Sequence, residues 1–475
     1  MSNINKILQK LNTKNVLVIG DGILDCHITG DFGGKSAEAP ISIFKETSVK
    51  YIAGGACNVA VNLASAKQNV KFCYVKSNDN NGEILSKLLK DNGVNNVYEV
   101  ISKDRKTTLK KRYFIDNTQI FRSDNEDVYS ITISEQLKIL KYVKKEIANI
   151  DIIVISDYGK GVITYTLIEE IIKVAKPHGV KILVDPKTND FTKYKNCNYI
   201  KPNFKEFSEM VKYAKLNEVS INSAVEIAKQ NGNDAIIVTL GNNGMFIAYS
   251  NGETYSVSGI ETDAIDVCGC GDTALSYIAV GIANNLTGEE VISLANVASA
   301  KKVGKNGACA VNLSEIAIPF NKVLAETDTP MLKKALENKK IVFTNGCFDI
   351  IHAGHIKSLQ EARSMGDVLV VGINTDNSIK KLKGEGRPII SLNDRIEVLK
   401  ALPFVDYIIP FDSETPYNLI KSIIPNVLVK GSEYEKTGIV GEDVVTLNGG
   451  EVKYIKMVDG LSTSSIINKI YESKK

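Results

Sequence analysis

Short apolar runs rich in Val and Ile recur along nearly all of the 475 residues, each bounded by Gly, Asp or Asn and followed by a stretch of helical period. Val16–Gly20, Ile152–Ser156, Lys181–Asp185, Ala235–Leu240, Ile341–Thr344, Val368–Ile373 and Val427–Lys430 are such runs, and Ile221–Asn231 is one of the helical stretches. A run of this kind suits a strand buried inside a parallel sheet, with the intervening helices covering both faces. The chain therefore reads as α/β throughout. In such sheets ligands bind beyond the carboxyl ends of the strands, so the residues that follow each run matter most.

The rhythm lapses once. After Asn306–Val311 it gives way to IAIPFNKVLAETDTP and a helix-like MLKKALENKK before a new strand begins. A chain of this length exceeds one ordinary core. The lapse predicts a first domain over residues 1–315, a linker over 316–338 and a second domain over 339–475. Inside the first, Ser36–Ala53 (SAEAPISIFKETSVKYIA) holds Pro40 and short alternating runs that suit a small antiparallel excursion, a lid over a site.

Bulk properties narrow the function. A formal charge of +3, with Lys scattered among Asp and Glu, is a solvated surface and not the clustered basic footprint of a nucleic-acid binder. No apolar run reaches the roughly 18 residues of a bilayer span. The opening MSNINKILQKLNTKNVLVIG has neither the apolar stretch nor the cleavage site of a signal peptide. The expectation is a cytoplasmic protein with small-molecule partners, and with neither nucleic acid nor membrane among them. The eight cysteines read as reduced thiols, not a disulfide framework. Cys268 and Cys270 resemble half a metal site, but no second Cys/His pair stands at usable spacing, so no protein-only metal centre is expected.

Asp266-Val267-Cys268-Gly269-Cys270-Gly271-Asp272-Thr273 runs into the helical pattern ALSYIAVGIA. Gly269 and Gly271 let the backbone approach a ligand, and the helix points free N–H groups and its positive dipole end toward it. With Cys270 between the glycines this is an anion hole. Asp272 at its mouth can take a proton from an attacking hydroxyl while the amides hold charge on a phosphoryl group. Taken alone, the same Asp serves equally well as a helix cap. A second glycine pair, Gly54-Gly55-Ala56-Cys57-Asn58, enters a helix behind the lid, and Asp25 follows the first strand. Asp25 and Asn58 offer hydrogen bonds to sugar hydroxyls.

These residues resemble the ribokinase-like (PfkB) carbohydrate kinases over about residues 10–315. That family pairs a GG-x-x-N signature with a D-T-x-G-A-G-D signature, in this order. The resemblance implies a ribokinase-like three-layer domain with a small β lid. It implies Asp272 as catalytic base, Gly269, Cys270 and Gly271 as the anion hole, and Asp25, Gly54, Gly55 and Asn58 as sugar-binding residues. It further implies that Asn203 and Glu206 organise Mg²⁺ and its waters near the ATP phosphates. Thr239, Gly241 and Gly244 would form the nucleotide-binding turn, Gly304–Gly307 would enclose the base, and a monovalent cation has a place at the kinase site. Read alone, Asn203 and Glu206 are ordinary surface polar groups. Cys268 and Cys270 are unusual occupants of the signature; both are small enough for a hole built from backbone amides, and they expose it to thiol oxidation.

In the second half Asn345-Gly346-Cys347-Phe348-Asp349-Ile350-Ile351-His352-Ala353-Gly354-His355 follows a strand and enters a helix. His352 and His355 are three apart and share a face, and Gly354 between them permits a phosphate to approach the backbone. Imidazoles at a helix N-terminus can stabilise charge on a departing pyrophosphate. Zinc binding and a purely structural pair are the alternatives, the first lacking the H-E-x-x-H spacing and a third ligand. The segment resembles the H-x-G-H signature of the cytidylyltransferase-like nucleotidyltransferases, from about Lys339 onward. It implies a Rossmann-like domain in which His352 and His355 are catalytic. The implied nucleotide-binding residues are Phe348, Asp349, Gly354, Asp376, Arg387 in a basic loop Lys380–Arg387, Lys430, and Ser462 and Thr463 at the start of a last helix. Arg395 is expected to begin another helix.

Kinase and transferase in this order, with Asp157-Tyr158-Gly159-Lys160-Gly161, Val184-Asp185-Pro186-Lys187, Glu38-Ala39-Pro40, GCFDIIHAGH and LVKGSEY, resemble the bifunctional heptose enzymes of lipopolysaccharide precursor synthesis. That family phosphorylates D-glycero-β-D-manno-heptose 7-phosphate at C1 with ATP and, after a separate phosphatase removes the 7-phosphate, couples the 1-phosphate to AMP, giving ADP-heptose. The phosphatase step argues against channelling between the sites. Lys110, Lys111, Arg112 and Arg122 are candidates to grip the 7-phosphate. The resemblance also implies a homodimer through the lid strands. The nearest alternative keeps both chemistries with another sugar or base. A decayed nucleotide sensor would have lost Asp272, His352 or His355, and all are present.

Overall fold

The computed structural model describes residues 2–116, 118–188, 190–262, 268–305, 309–317, 322–337, 339–435, 438–456 and 472. Two compact units divide the chain, Met1–Ile316 and Ala317–Lys475. Among the described residues no helix is long and apolar enough to cross a membrane.

The first unit starts with β1 (Asn15–Gly20), leaves into β2 (Gly22–Lys35) and β3 (Ser42–Gly55), and returns through β4 (Asn69–Ser77) and β5 (Asn96–Ser102). A second departure gives β6 (Thr108–Ile115) and β7 (Thr118–Asn125). The remaining strands are β8 (Ile152–Ser156), β9 (Lys181–Asp185), β10 (Tyr199–Ile200), β11 (Ala235–Thr239), β12 (Met245–Tyr249) and β13 (Thr254–Val257). The main sheet has the order β13-β12-β11-β10-β9-β8-β1-β4-β5. It is parallel from β5 to β11 and antiparallel at the β11–β12–β13 edge.

Alternation along β1 builds the three layers. Val16 and Val18 enter one apolar core with Val59, Leu275 and Val291 of the helices Ala56–Ser65, Cys270–Ala283 and Gly288–Val303. Leu17 and Ile19 enter the opposite core with Ile139, Leu167 and Ala224 of Ile133–Glu146, Tyr165–Ala175 and Ile221–Asn231. Burying each such side chain stabilises the fold by about 1.5–3 kcal/mol. Capping boxes, Thr132 with Glu135 and Thr287 with Glu290, fix where two of these helices begin.

The lid departs from expectation. It is a four-stranded mixed sheet of order β3-β2-β6-β7, in which β2 runs antiparallel to β3 but parallel to β6. It is therefore larger than an antiparallel excursion over Ser36–Ala53. Gly30, Gly33 and Gly34 weaken the strand signal of β2, and its partner β6 lies far away in sequence.

The second unit is a five-stranded parallel sheet of β14 (Ile341–Gly346), β15 (Val368–Asn374), β16 (Tyr407–Phe411), β17 (Val427–Gly431) and β18 (Glu451–Ile455), in the order β16-β15-β14-β17-β18. Ile341 and Phe343 enter one core and Val342 the other, so this sheet too is covered on both faces. Two expectations need correction. Lys380–Lys383 belongs to the helix Asp376–Lys383, capped by Thr375 and closed by lysines that suit its negative end, so the loop is shorter than Lys380–Arg387. Arg395 lies inside the helix Leu392–Lys400, which Ser391 starts.

Both sheets reverse direction once. In the first unit the chain builds outward from β1 to β4 and β5, then from β8 the other way; in the second it goes from β14 to β15 and β16, then to β17 and β18. The crevices at β1/β8 and β14/β17 are the switch points at which such sheets bind ligands.

Candidate functional site

At the β1/β8 switch lies a cavity of about 370 Å³ that gathers Asp25, Gly54, Gly55, Asn58, Gly269 and Asp272, together with Lys110, Arg112, Arg122, Tyr158 and Lys160. Gly269 is the N-cap of the helix Cys270–Ala283 at φ 78°, a left-handed conformation suited to glycine, and no side chain caps that helix. Asp272 sits in its first turn, so the capping alternative fails. Its Oδ2 accepts a 2.6 Å hydrogen bond from Asn58 Nδ2 and its Oδ1 a 2.6 Å bond from the Tyr158 hydroxyl. Burial raises the Asp272 carboxyl above the ordinary carboxylate range, against the pull of those two bonds.

The glycine pair has a steric reason. A Cβ on Gly54 would fall 2.2 Å from Asp25 Oδ2, and Gly55 turns at φ 56° into the next helix. Arg112 pairs with Asp25 Oδ1. The basic candidates divide by strand alternation. Lys110 registers with Asp25 and Arg112 with His27, all of which line the cavity, whereas Lys111 registers with buried Cys26 on the other face. Lys110 is held by Asp124 and Glu126 at 3.0 Å each, and Arg122 by Asp124 at 2.7 Å.

Tyr158 and Lys160 were legible only as part of a matching stretch. The signal available was their position just past β8. Asp21, buried at the end of β1, holds their loop by accepting hydrogen bonds from the amides of Tyr158, Lys160 and Val162.

A second cavity shares the same helix start and brings Thr239, Gly241 and Gly244 to Cys270 and Gly271. Asn203 bridges to Thr239, but Asn203 and Glu206 line neither cavity. They form a reciprocal capping box with both bonds at 2.9 Å at the start of Phe204–Tyr213. Nearby Asp185 is pushed up to about 7 by burial and by the charges of Glu206 and Asp272, against the opposing Lys201 at 3.0 Å. Asp266, Asn306 and Gly307 lie outside the described residues.

In the second unit a cavity of about 580 Å³ opens at β14/β17, lined by Phe348, His355, Asn374, Lys383 and Lys430 among others. His352 is the N-cap of Ala353–Ser364 and its ring lies 4.0 Å from that of His355, centroid to centroid. Both Nδ1 atoms are buried without a hydrogen-bond partner, which a purely structural pair would not leave. Burial holds both imidazoles below the ordinary histidine range, His355 at about 4 with the neighbouring His352 adding to it. They are thus neutral near pH 7, and of the two only His355 lines the cavity. Among the described residues no three His, Cys, Asp or Glu side chains converge as metal ligands.

Lys430 Nζ donates to the Asn345 carbonyl at 3.1 Å and stands 5.5 Å above the Tyr434 ring, and burial lowers it to about 8. Phe348, at φ 48°, stacks edgewise on His355. His352, Asp349, Arg387, Asp376 and Gly354 do not line this cavity. Asp349 is taken up by Arg387 and by the amides of Ile389 and Ile390 at 2.8 and 3.0 Å. Asp376 is held at 2.7 Å by Arg395, whose fully buried guanidinium also donates to the carbonyls of Cys347, Asn374 and Ile390. Arg395 therefore ties the ends of β14 and β15 around the cavity, a role that its place near a helix start did not announce. Ser462 and Thr463 lie outside the described residues.

The chain matches two known families. Residues 13–315 match the pfkB family carbohydrate kinases and residues 343–469 the Cytidylyltransferase-like family. "Bifunctional protein HldE" of Aliarcobacter butzleri is 38% identical over 97% of this chain and 98% of its own length. The protein of the same name from Actinobacillus pleuropneumoniae is 38% identical over 98% of this chain and 99% of its own. Phosphofructokinase-2 from Escherichia coli in complex with potassium superposes with a TM-score of 0.56 at 20% identity, covering 64% of this chain and 97% of that one. That likeness gives the first unit its ribokinase-like fold.

Proposed function

The chain belongs to the bifunctional HldE family, a carbohydrate kinase joined to a nucleotidyltransferase, and from that membership we propose that it makes ADP-heptose in two ATP-dependent steps, in the cytoplasm, for the lipopolysaccharide inner core. In the first step Asp272 takes the proton of the C1 hydroxyl of D-glycero-β-D-manno-heptose 7-phosphate. The C1 oxygen bonds to the γ-phosphorus as the bond to ADP breaks, and the anion hole of Gly269, Cys270 and Gly271 holds the phosphoryl charge. Asp25 and Asn58 bind sugar hydroxyls, and Lys110, Arg112 and Arg122 receive the 7-phosphate. In the second step the heptose 1-phosphate attacks the α-phosphorus of ATP and pyrophosphate leaves. Lys430 neutralises phosphate charge, the neutral His352 and His355 donate hydrogen bonds to the phosphate oxygens, and no covalent intermediate is needed.

The observation that carries the reading is the Asp272 carboxylate, buried at an anion hole yet gripped by Asn58 and Tyr158 beside a cluster of cations. Glu206 would hold Mg²⁺ and its waters beside the ATP phosphates. Buried Asp185, paired with Lys201 at 3.0 Å and pushed up by burial and by Glu206 and Asp272, is the neighbouring carboxyl that such an ion would meet. When bound, Mg²⁺ neutralises the β- and γ-phosphate oxygens. A monovalent cation would have a place at the kinase site, as the family resemblance implies. A homodimer through the lid is supported by its exposed apolar side chains Phe32, Ile43, Tyr51 and Phe121.

The test is to incubate the protein with ATP and either heptose 7-phosphate, fructose 6-phosphate or ribose, and to weigh the products. Bisphosphate from the heptose alone, and ADP-heptose once a phosphatase is added, is the expected result. Turnover of another sugar with none of the heptose would reject the assignment.

A further inference from the structure

We infer that Lys302 is a further residue of the phosphoryl-transfer site, its buried ammonium being the fixed counter-charge for the phosphate oxygens that the anion hole receives. The inference rests on the phosphoryl-transfer reading of that site. Lys302 lies in the last turn of the helix Gly288–Val303, which packs along Cys270–Ala283. Its side chain is 0% exposed and, among the described residues, its Nζ has no hydrogen-bond partner. An isolated buried ammonium is among the most costly groups a fold can carry. Other deeply buried lysines of this unit are compensated: Lys201 by Asp185 at 3.0 Å, Lys76 by Glu99 at 2.8 Å. Among the described residues Lys302 has no such carboxylate.

Its location supplies the reason. Lys302 Cε lies 3.8 Å from the point where a Cβ on Gly269 would stand, and Asn58 Nδ2 lies 2.8 Å from the same point. Asn58 in turn holds Asp272. The lysine therefore ends beside the N-cap of the helix whose first turn carries the base. An unpaired buried cation and a helix N-terminus opened by a left-handed glycine meet at one place, and their shared complement is an anion with several oxygens, the phosphate chain of ATP. During transfer the sugar oxygen–phosphorus bond forms, the phosphorus–oxygen bond to ADP breaks and the hydroxyl proton passes to Asp272. Lys302 stabilises charge on the transferring and leaving oxygens. Because the cation is buried before substrate arrives, it needs no reorganisation at the moment of reaction.

The test compares Lys302→Met, Lys302→Arg and Asp272→Asn in the full-length chain. Lys302→Met removes the charge and keeps the length. Its ADP release should fall on the order of 10²-fold, adenylyl transfer should stay at the wild-type rate, and the unliganded Tm should stay level or rise, because an uncompensated charge has gone. Lys302→Arg should retain more kinase activity than Lys302→Met. If Lys302→Met does not fold, Lys302→Gln is read by the same rate and Tm. A Tm that drops along with activity would assign Lys302 a structural pairing and overturn the inference, as would kinase activity within about twofold of wild type. Activity kept by Lys302→Met but lost by Asp272→Asn defeats this inference alone; activity kept by Asp272→Asn defeats the phosphoryl-transfer reading beneath it.

Discussion

The Tyr158 hydroxyl donates a 2.6 Å hydrogen bond to Asp272 Oδ1, across 114 residues of sequence. Burial pushes the Asp272 carboxyl up and this bond pulls it down, so Tyr158 sets how basic the carboxylate is. In Tyr158→Phe the Asp272 carboxyl should rise further. A base must be ionised, so the acid limb of the kinase kcat/KM profile should move to higher pH, by roughly one unit. A pH–rate profile checks this; an unmoved limb would show that Asp272 is not the titrating base.

Gly54 leaves room for Asp25. Gly54→Ala should drive the Asp25 carboxylate from its position 2.2 Å from the new methyl group. KM for the sugar should rise roughly tenfold, with little change in KM for ATP. Steady-state kinetics with each substrate varied separates the two.

Lys430, lowered to about 8 by burial, must be cationic to hold phosphate. The transferase kcat/KM for ATP should therefore be level below about pH 8 and fall above it. Lys430→Arg should remove that limb, because a guanidinium keeps its charge across the range. A limb that persists in the arginine variant belongs to another group.

Arg395 satisfies three carbonyls and Asp376 while fully buried. Arg395→Ala leaves those carbonyls unpaired and should cost the second unit about 3 kcal/mol. Thermal unfolding followed with adenylyl transfer as the probe should show the loss, while ADP release by the kinase site persists.

Legibility in the sequence follows the range of the interactions. Strands such as Val427–Lys430 and helices such as Ile221–Asn231 carry their own periodicity and were readable directly. The glycine-flanked helix start at Gly269–Asp272 and the histidine pair were readable because each is one continuous segment. Tyr158, Arg395 and Lys302 were not, since their roles exist only once remote segments meet: Tyr158 at Asp272, Arg395 between β14 and β15, Lys302 beside Gly269. The lid was underestimated for the same reason, its β2–β6 pairing being non-local. Separating Lys110 and Arg112 from Lys111 needs only a period of two, but only after β6 is known to be a strand.

The central claim is that one chain carries two independent active sites. Asp272→Asn and His355→Ala, each in the full-length protein, are assayed for ADP release with heptose 7-phosphate and for pyrophosphate release with heptose 1-phosphate. Asp272→Asn should abolish the first and leave the second; His355→Ala should do the reverse. Loss of both activities from either variant in a still-folded protein would contradict the account.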